Sequence, residues 1–134
     1  MIQLTAAIGE QQTLLEQNSI LIVDDNVDLS DALAEALRSE GYAVILASNG
    51  QEALVLLPRL KRPCGIVLDI AMPVMSGTDF YERMTALPAF ADIPVVVFAA
   101  DPSLAPSGLA RIEKSSPAKL FAVLAALFLR PGSC

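Results

Sequence analysis

Residues 66–72 read I-V-L-D-I-A-M, an apolar run that contains a single carboxylate, Asp69. The short unbroken run before Asp69 predicts a strand over residues 65–68 that is buried on both faces. A lone ionised carboxylate is costly to bury, so Asp69 needs water, a cation or a hydrogen-bonding cage. The end of a strand in an open α/β sheet offers that setting, because ligands bind beyond the carboxyl ends of the strands. We therefore expect the functional site to be built on Asp69.

The rest of the chain alternates between apolar runs and amphipathic segments. The predicted strands besides 65–68 cover 19–23, 42–47, 94–99 and 109–112, and the predicted helices cover 28–40, 51–57, 78–86 and 117–129. A strand followed by a helix, repeated three times, is typical of a doubly wound parallel α/β sheet with helices on both faces. Residues 101–108 contain two prolines, two serines and a glycine, which predicts that the fourth helix is shortened or missing.

The length and the hydropathy of the chain indicate its class. With 134 residues, we expect one folded domain over residues 19–130, an N-terminal extension over 1–18 and a tail over 131–134. The apolar run 120–129 is much shorter than the roughly 18 residues that cross a bilayer. Residues 1–19 contain no basic residue, so they do not resemble a secretory signal. We therefore expect a cytoplasmic protein that does not enter a membrane.

Composition excludes several kinds of site. The chain has no histidine and only two cysteines, Cys64 and Cys134, which disfavours Cys/His zinc sites and Ser/His or Cys/His catalytic pairs. The net charge is −6 and the nine Lys and Arg residues are scattered, so nucleic-acid binding by this chain alone is not expected. The chemistry that remains is that of carboxylates.

Three carboxylates are expected to meet at one edge of the sheet. The first predicted strand ends in Asp24-Asp25-Asn26, and these aspartates approach Asp69 if the first and third strands are parallel neighbours. Clustered carboxylates need a counter-charge, and Mg²⁺ is usually held by such groups. Lys114 follows the last predicted strand and could add a positive charge. Taken alone, however, Asp24-Asp25-Asn26 also fits a helix N-cap and turn, and Lys114 also fits a solvated lysine.

Three motifs make a resemblance specific. They are I-L-I-V-D-D-N at 20–26, L-D-I-A-M-P-V-M-S-G at 68–77 and P-V-V-V-F-A-A at 94–100. With these motifs the chain resembles the receiver domain of the two-component response regulator family, over roughly residues 18–129. The resemblance implies a flavodoxin-like five-stranded parallel sheet with strand order 2-1-3-4-5.

The resemblance also implies roles for individual residues. Asp69 would be the phosphoacceptor and would take a phosphoryl group from a phosphohistidine or a small acyl phosphate. The phosphohistidine would lie on a partner, a histidine kinase or a histidine phosphotransfer protein. Asp24, Asp25, Asp69 and the backbone carbonyl of Ala71 would hold Mg²⁺, and Lys114 would pair with the phosphoryl oxygens.

The chain departs from the family pattern at the positions that report phosphorylation. Ala99 stands where the family has Thr or Ser, and Arg111 stands where it has an aromatic residue. Two functions stay open, a phosphoacceptor receiver and a pseudo-receiver that binds or pairs with a protein without being phosphorylated. Arg111 also fits an ordinary exposed strand residue. A metal-dependent phosphohydrolase is a third interpretation, disfavoured because Ala71 occupies the usual position of a second acid/base carboxylate.

The last predicted helix is apolar almost all round, with Lys119 as its only charged residue. Such a helix should be covered on more than one side. A shortened fourth helix would uncover its flank, so we expect this face to pair with a second copy of the chain or with an adjacent domain. The residues expected at this interface are Leu120, Phe121, Leu124, Leu127 and Phe128.

Overall fold

The structure is a computed structural model that describes residues 19–128, apart from the side chains of Leu127 and Phe128. The strands are β1 (Ser19–Val23), β2 (Ala43–Ala47), β3 (Gly65–Leu68), β4 (Val95–Ala99) and β5 (Ala110–Glu113). The helices are α1 (Val27–Ser39), α2 (Gly50–Leu56), α3 (Gly77–Thr85) and α4 (Pro117–Phe128). The predicted extension 1–18 and tail 131–134 lie outside the described residues.

The five strands form one parallel sheet in the order β2-β1-β3-β4-β5. This confirms the predicted doubly wound flavodoxin-like architecture. Strand β1 lies beside β3 with Val23 level with Leu68, so the residues that follow them, Asp24 and Asp69, leave the sheet at the same height. The strand order thus decides where the site lies.

The core has two main halves because side chains of a strand point alternately to opposite faces. From β1, Ile20 and Ile22 join a cluster with α1 and α4, whereas Leu21 and Val23 join a cluster with α2 and α3. All four side chains are fully buried. Because helices cover both faces of the sheet, its buried strands need apolar residues on both sides and not at alternate positions only.

The connection between β4 and β5 confirms the predicted loss of the fourth helix. Its only regular element is a 3₁₀ turn at Pro102–Leu104. Ala105 and Leu109 of this connection pack on a small buried cluster of Ile70, Val97 and Ala99. The connection, called the β4–β5 crossover below, thus covers the sheet with one turn and a few side chains.

Helix α4 corrects part of the predicted interface. Leu120 is 0% exposed and Leu124 is 2% exposed, and both belong to the core beside β4. Their spacing of four residues places both on the inward face, so they cannot form an exposed surface. Phe121 is half-buried, and the side chains of Leu127 and Phe128 lie outside the described residues.

Within residues 19–128, none of the helices is long and apolar enough to cross a bilayer.

Candidate functional site

Three aspartates meet at the carboxyl edge of β1 and β3. Asp24 and Asp69 are buried, Asp25 is exposed, and one carboxylate oxygen from each lies within 4.8 Å of the other two. The backbone holds two of them in place: the Asp24 N–H donates to the Ala47 carbonyl at 3.1 Å, and the Asp69 N–H donates to the Val23 carbonyl at 2.9 Å. The predicted convergence of the three residues is therefore present in the folded chain.

Lys114 supplies the counter-charge. Its backbone N–H donates to the Ala99 carbonyl at 3.0 Å, which continues the pairing of β5 with β4 and turns the side chain toward the aspartates. The ammonium nitrogen Nζ lies 2.8 Å from Asp24 Oδ2 and 3.3 Å from Asp69 Oδ2. The Lys114 side chain is 22% exposed, so it lies over the acidic cluster and is not a freely solvated surface lysine.

The charges of Asp69 and Lys114 depend on each other. Burial, and then repulsion by Asp24, raises the pKa of Asp69, while Lys114 and the Ile70 N–H act to lower it. Burial alone would lower the pKa of Lys114, but the hydrogen bond to Asp24 and the charges of Asp24 and Asp69 raise it. The carboxylates therefore stabilise the protonated form of Lys114, whereas burial destabilises the ionised form of Asp69.

Asn26 resolves the two interpretations of the Asp24-Asp25-Asn26 turn. The Asn26 side chain caps α1 by accepting a hydrogen bond from the Leu29 N–H at 3.1 Å. Its own backbone N–H donates to Asp24 Oδ1 at 2.9 Å. Because the cap is made by Asn26, the aspartates before it are left to face the site.

The loop between β3 and α3 folds back tightly against Asp69. Asp69 Oδ1 accepts a hydrogen bond from the Ile70 N–H at 2.8 Å, and the Gly77 N–H donates to the Ile70 carbonyl at 2.8 Å. Ser76 caps α3 by accepting from the Asp79 N–H at 3.1 Å. The Ile70 N–H therefore fixes the Asp69 carboxylate, and Ile70 is in turn held by the start of the next helix.

The site opens into a pocket of about 340 Å³ at the sheet edge. Its lining comprises the following residues: Asp25, Asn26, Asp69, Ile70, Ala71, Ala99, Ala100, Asp101, Leu104 and Lys114. Three carboxylates are hard oxygen donors of the kind that Mg²⁺ prefers. Asp24, Asp25 and Asp69 therefore fit a magnesium site, and Ala71 lines the same pocket.

Comparison with known proteins agrees with this geometry. The family model of the response regulator receiver domain matches residues 20–107, a range that contains β1 except for Ser19, β2 to β4 and all three aspartates. The chain belongs to the response regulator receiver domain family. It is therefore a receiver domain of two-component signal transduction, with the fold and the acidic pocket that the sequence predicted.

Individual relatives and solved structures support the assignment. The receiver domain is 40% identical over 85 residues to a response regulator receiver protein of Anaeromyxobacter sp. (strain Fw109-5), covering 63% of this chain and 35% of the relative. The signal receiver domain of a Syntrophus aciditrophicus histidine kinase superposes with a TM-score of 0.73 at 30% identity, covering 84% of this chain and 90% of that chain. The response regulator TrrA of Thermotoga maritima, in complex with Mg²⁺-BeF, superposes with a TM-score of 0.71 at 27% identity, covering 82% and 98%.

Two positions of this receiver domain lack the residue types that the resemblance implies, and of these only Ala99 lines the pocket. Ala99 ends β4, is 2% exposed and lines the pocket with a methyl group that cannot donate a hydrogen bond. Arg111 lies on an exposed part of β5, and its guanidinium group donates to backbone carbonyls of the β4–β5 crossover. Arg111 is thus engaged with the protein and is not merely an exposed strand residue.

Sequence reasoning missed one wall of the pocket. Ala100, Asp101 and Leu104 of the β4–β5 crossover line it, and the Asp101 carboxylate also accepts a hydrogen bond from the Ser103 N–H at 3.1 Å. The predicted loss of the fourth helix could have indicated this wall, because a connection that lacks a helix must stay close to the strand ends. The sequence did not indicate which of its side chains would turn to the pocket.

Proposed function

We propose that Asp69 accepts a phosphoryl group from a phosphohistidine on a partner histidine kinase or histidine phosphotransfer protein. The observation that carries this proposal is the position of Lys114 Nζ, which is within 3.3 Å of carboxylate oxygens of both Asp24 and Asp69. A cation held there is suited to pair with the oxygens of an incoming phosphoryl group. The pocket mouth leaves room for that group beside Asp69.

The reaction requires position and charge more than additional chemistry. An Asp69 carboxylate oxygen attacks phosphorus in line, so that a P–O bond forms as the P–N bond to the donor imidazole breaks. The nitrogen keeps the electron pair and takes a proton from solvent. Lys114 neutralises phosphoryl oxygens during the transfer. The Ile70 N–H orients the carboxylate through its hydrogen bond to Oδ1.

Mg²⁺ would be held by the carboxylates of Asp24, Asp25 and Asp69 and by the backbone carbonyl of Ala71. When bound, it would supply positive charge to the phosphoryl oxygens and to the crowded carboxylates. Asp25 is the exposed member of the set and would give the ion access from solvent. Buried Asp24 is already shared with Lys114, so the metal and the lysine would neutralise the same cluster.

The proposed partners follow from the donor chemistry. A kinase or phosphotransfer protein with an accessible phosphohistidine would place this chain in the cytoplasm, as expected from the sequence. Pairing with a second copy or an adjacent domain through α4 remains a proposal. The part of α4 that is not buried in the core includes Phe121, which lines a groove of about 330 Å³ with Leu37 and Tyr42.

The experiment that tests this function is incubation of the purified protein with acetyl phosphate, with and without Mg²⁺, followed by intact mass measurement. We expect a gain of one phosphoryl group that depends on Mg²⁺ and is absent from Asp69→Asn. Acid-stable modification, or the same gain in Asp69→Asn, would assign the phosphoryl group to another residue. No gain in the wild type would contradict the proposal.

A pseudo-receiver is the second candidate function, and Ala99 is the observation that favours it. The buried methyl group of Ala99 has no hydroxyl to turn toward a phosphoryl group, so the usual movement after phosphorylation lacks its first step. In this role the protein would act as a phosphorylation-independent interaction module. An unchanged mass after acetyl phosphate, combined with an oligomeric state that does not respond to beryllofluoride and Mg²⁺, would favour this function.

A further inference from the structure

Arg111 joins β5 to the crossover that precedes it through two side-chain hydrogen bonds. Its Nη2 donates to the Pro106 carbonyl at 2.8 Å and its Nη1 donates to the Pro102 carbonyl at 3.4 Å. Two nitrogens of one rigid planar group therefore reach two carbonyls that are four residues apart. The fork geometry of arginine suits such a two-point contact.

The two carbonyls lie in and just after the only regular turn of the crossover. The Pro102 carbonyl belongs to the 3₁₀ turn Pro102–Leu104, the Pro106 carbonyl follows it, and Leu104 lines the phosphoryl pocket. On the other side, the Thr78 hydroxyl of α3 donates to the Leu104 carbonyl at 3.4 Å. The turn is thus held from β5 and from α3, and its last residue, Leu104, contributes to the wall of the pocket.

Arg111 is placed for this contact by the sheet register. It lies level with Val97 in β4, and Val97 packs under Ala105 and Leu109 of the crossover. Neighbouring side chains at the same level of a sheet point to the same face. The arginine therefore emerges on the face that the missing helix would have covered, beside the segment that replaces it.

We propose that Arg111 is a positioning residue that clamps the β4–β5 crossover and thereby keeps the wall formed by Ala100, Asp101 and Leu104 in place for an incoming phosphoryl group. The crossover has one short turn and few buried side chains, so its order depends on contacts from outside itself. Without the clamp, the wall is formed in only a fraction of the molecules, and ligand binding must order it in the rest. The apparent affinity is then the intrinsic affinity multiplied by that fraction. This consequence for affinity rests on the proposed phosphoacceptor function.

The test measures the affinity of the full chain for beryllofluoride, a stand-in for the phosphoryl group, at saturating Mg²⁺. We expect Arg111→Met, which keeps the aliphatic stem, to weaken binding by about fivefold or more. Arg111→Lys keeps the charge but not the fork, so it should remain clearly weaker than the wild type. The control Arg83→Met removes the same charge from the exposed end of α3 and should bind as the wild type does.

A second measurement keeps the clamp testable whatever the pocket binds. Hydrogen exchange of the amides in residues 103–109 should be faster in Arg111→Met than in the wild type, while exchange in β1 and β3 is unchanged. Unchanged exchange in the crossover overturns the clamp. Unchanged beryllofluoride affinity in Arg111→Met, or full recovery by Arg111→Lys, overturns its role in positioning. Failure of the wild type to bind beryllofluoride contradicts the proposed function, and exchange then decides the clamp by itself.

Discussion

Gly77 lies so close to Asp69 that a Cβ atom built on it would collide with the Asp69 carbonyl oxygen. The same Cβ would lie 2.9 Å from the Ile70 Cα. Both neighbours are backbone atoms, so no side chain can rotate away to relieve the contact. The first residue of α3 must therefore be glycine if the loop is to close against the site.

We expect Gly77→Ala to lower the free energy of unfolding by about 2–3 kcal/mol, because the loop must open to admit the methyl group. Chemical denaturation measures the loss. Glu82→Ala, at an exposed position of the same helix, should change stability by less than about 0.5 kcal/mol. A Gly77→Ala protein as stable as the wild type would mean that the loop has another way to close.

Asp69→Asn is expected to stabilise the metal-free protein at neutral pH. Burial and the Asp24 charge raise the pKa of Asp69, so the folded state holds this proton more tightly than the unfolded chain. Binding of this proton stabilises the folded state. The stabilisation is fully present below the unfolded pKa of about 4 and is lost as pH rises through the folded pKa. The substitution removes this loss, and we expect a gain of about 1–2 kcal/mol at pH 7.

Urea denaturation with a chelator present, repeated across the acid and neutral range, measures this difference. The gain of Asp69→Asn should shrink toward low pH, and added Mg²⁺ should stabilise the wild type more than the variant. Asp31→Asn at an exposed position of α1 is the matched control and should show neither effect. A gain that is the same at every pH would point to a cause other than the buried charge.

Lys114→Met is expected to have the opposite effect on stability. The substitution leaves Asp24 and Asp69 without their common cation, which lies 2.8 Å and 3.3 Å from their oxygens. Leaving these buried charges unpaired should cost about 1–3 kcal/mol of unfolding free energy at neutral pH. The raised pKa of Lys114 keeps its stabilising contribution in place up to the unfolded pKa near 10.5, and the contribution is lost as pH rises through the folded pKa.

A double-mutant cycle with Asp24→Asn separates this charge effect from lost packing. The cost of Lys114→Met should be clearly smaller in the Asp24→Asn background, because one of the charges that the lysine neutralises is gone. Lys119→Met, on the exposed face of α4, provides the control. Equal costs in the two backgrounds would show that Lys114 and Asp24 do not interact.

Val74 carries backbone strain beside the site. Its φ is +68°, and it is the one non-glycine residue with positive φ in the described range 19–128. Its side chain is 81% exposed, so burial does not compensate for a β-branched residue in the left-handed region. Val74→Asn should raise the free energy of unfolding by about 0.5–1.5 kcal/mol, because asparagine tolerates this conformation. Thermal denaturation measures the gain, and Val74→Ile, which keeps the branched Cβ, should show none.

The positions of Asp24 and Asp69 could be predicted because they depend on local pattern. Short apolar runs that end in carboxylates indicate parallel strands, and strand order then brings those ends together. The missing fourth helix could also be predicted, because prolines and glycine within residues 101–108 oppose a helix whatever surrounds them.

The inward face of α4 could not be predicted in the same way. A helix that is apolar almost all round has no polar stripe to mark its exposed surface, so the pattern predicts an interface at Leu120 and Leu124 although they pack in the core. The contact of Arg111 with Pro102 and Pro106 was equally hidden. This contact depends on the distance between the crossover and β5, which a local sequence pattern cannot predict.

Hydrophobic runs and turn residues act over a few positions, so the sequence predicted the strands and the acidic residues that end them. The family and the strand order were implied by the resemblance that the motifs at 20–26, 68–77 and 94–100 carry. How Asp69 is held depends on the packing of the folded chain. This packing places Lys114 within 3.3 Å of two carboxylates, brings Gly77 against the Asp69 carbonyl and sets Arg111 across the crossover. These relations join residues that are distant in the chain, and their distances follow from packing the helices and the crossover onto the sheet.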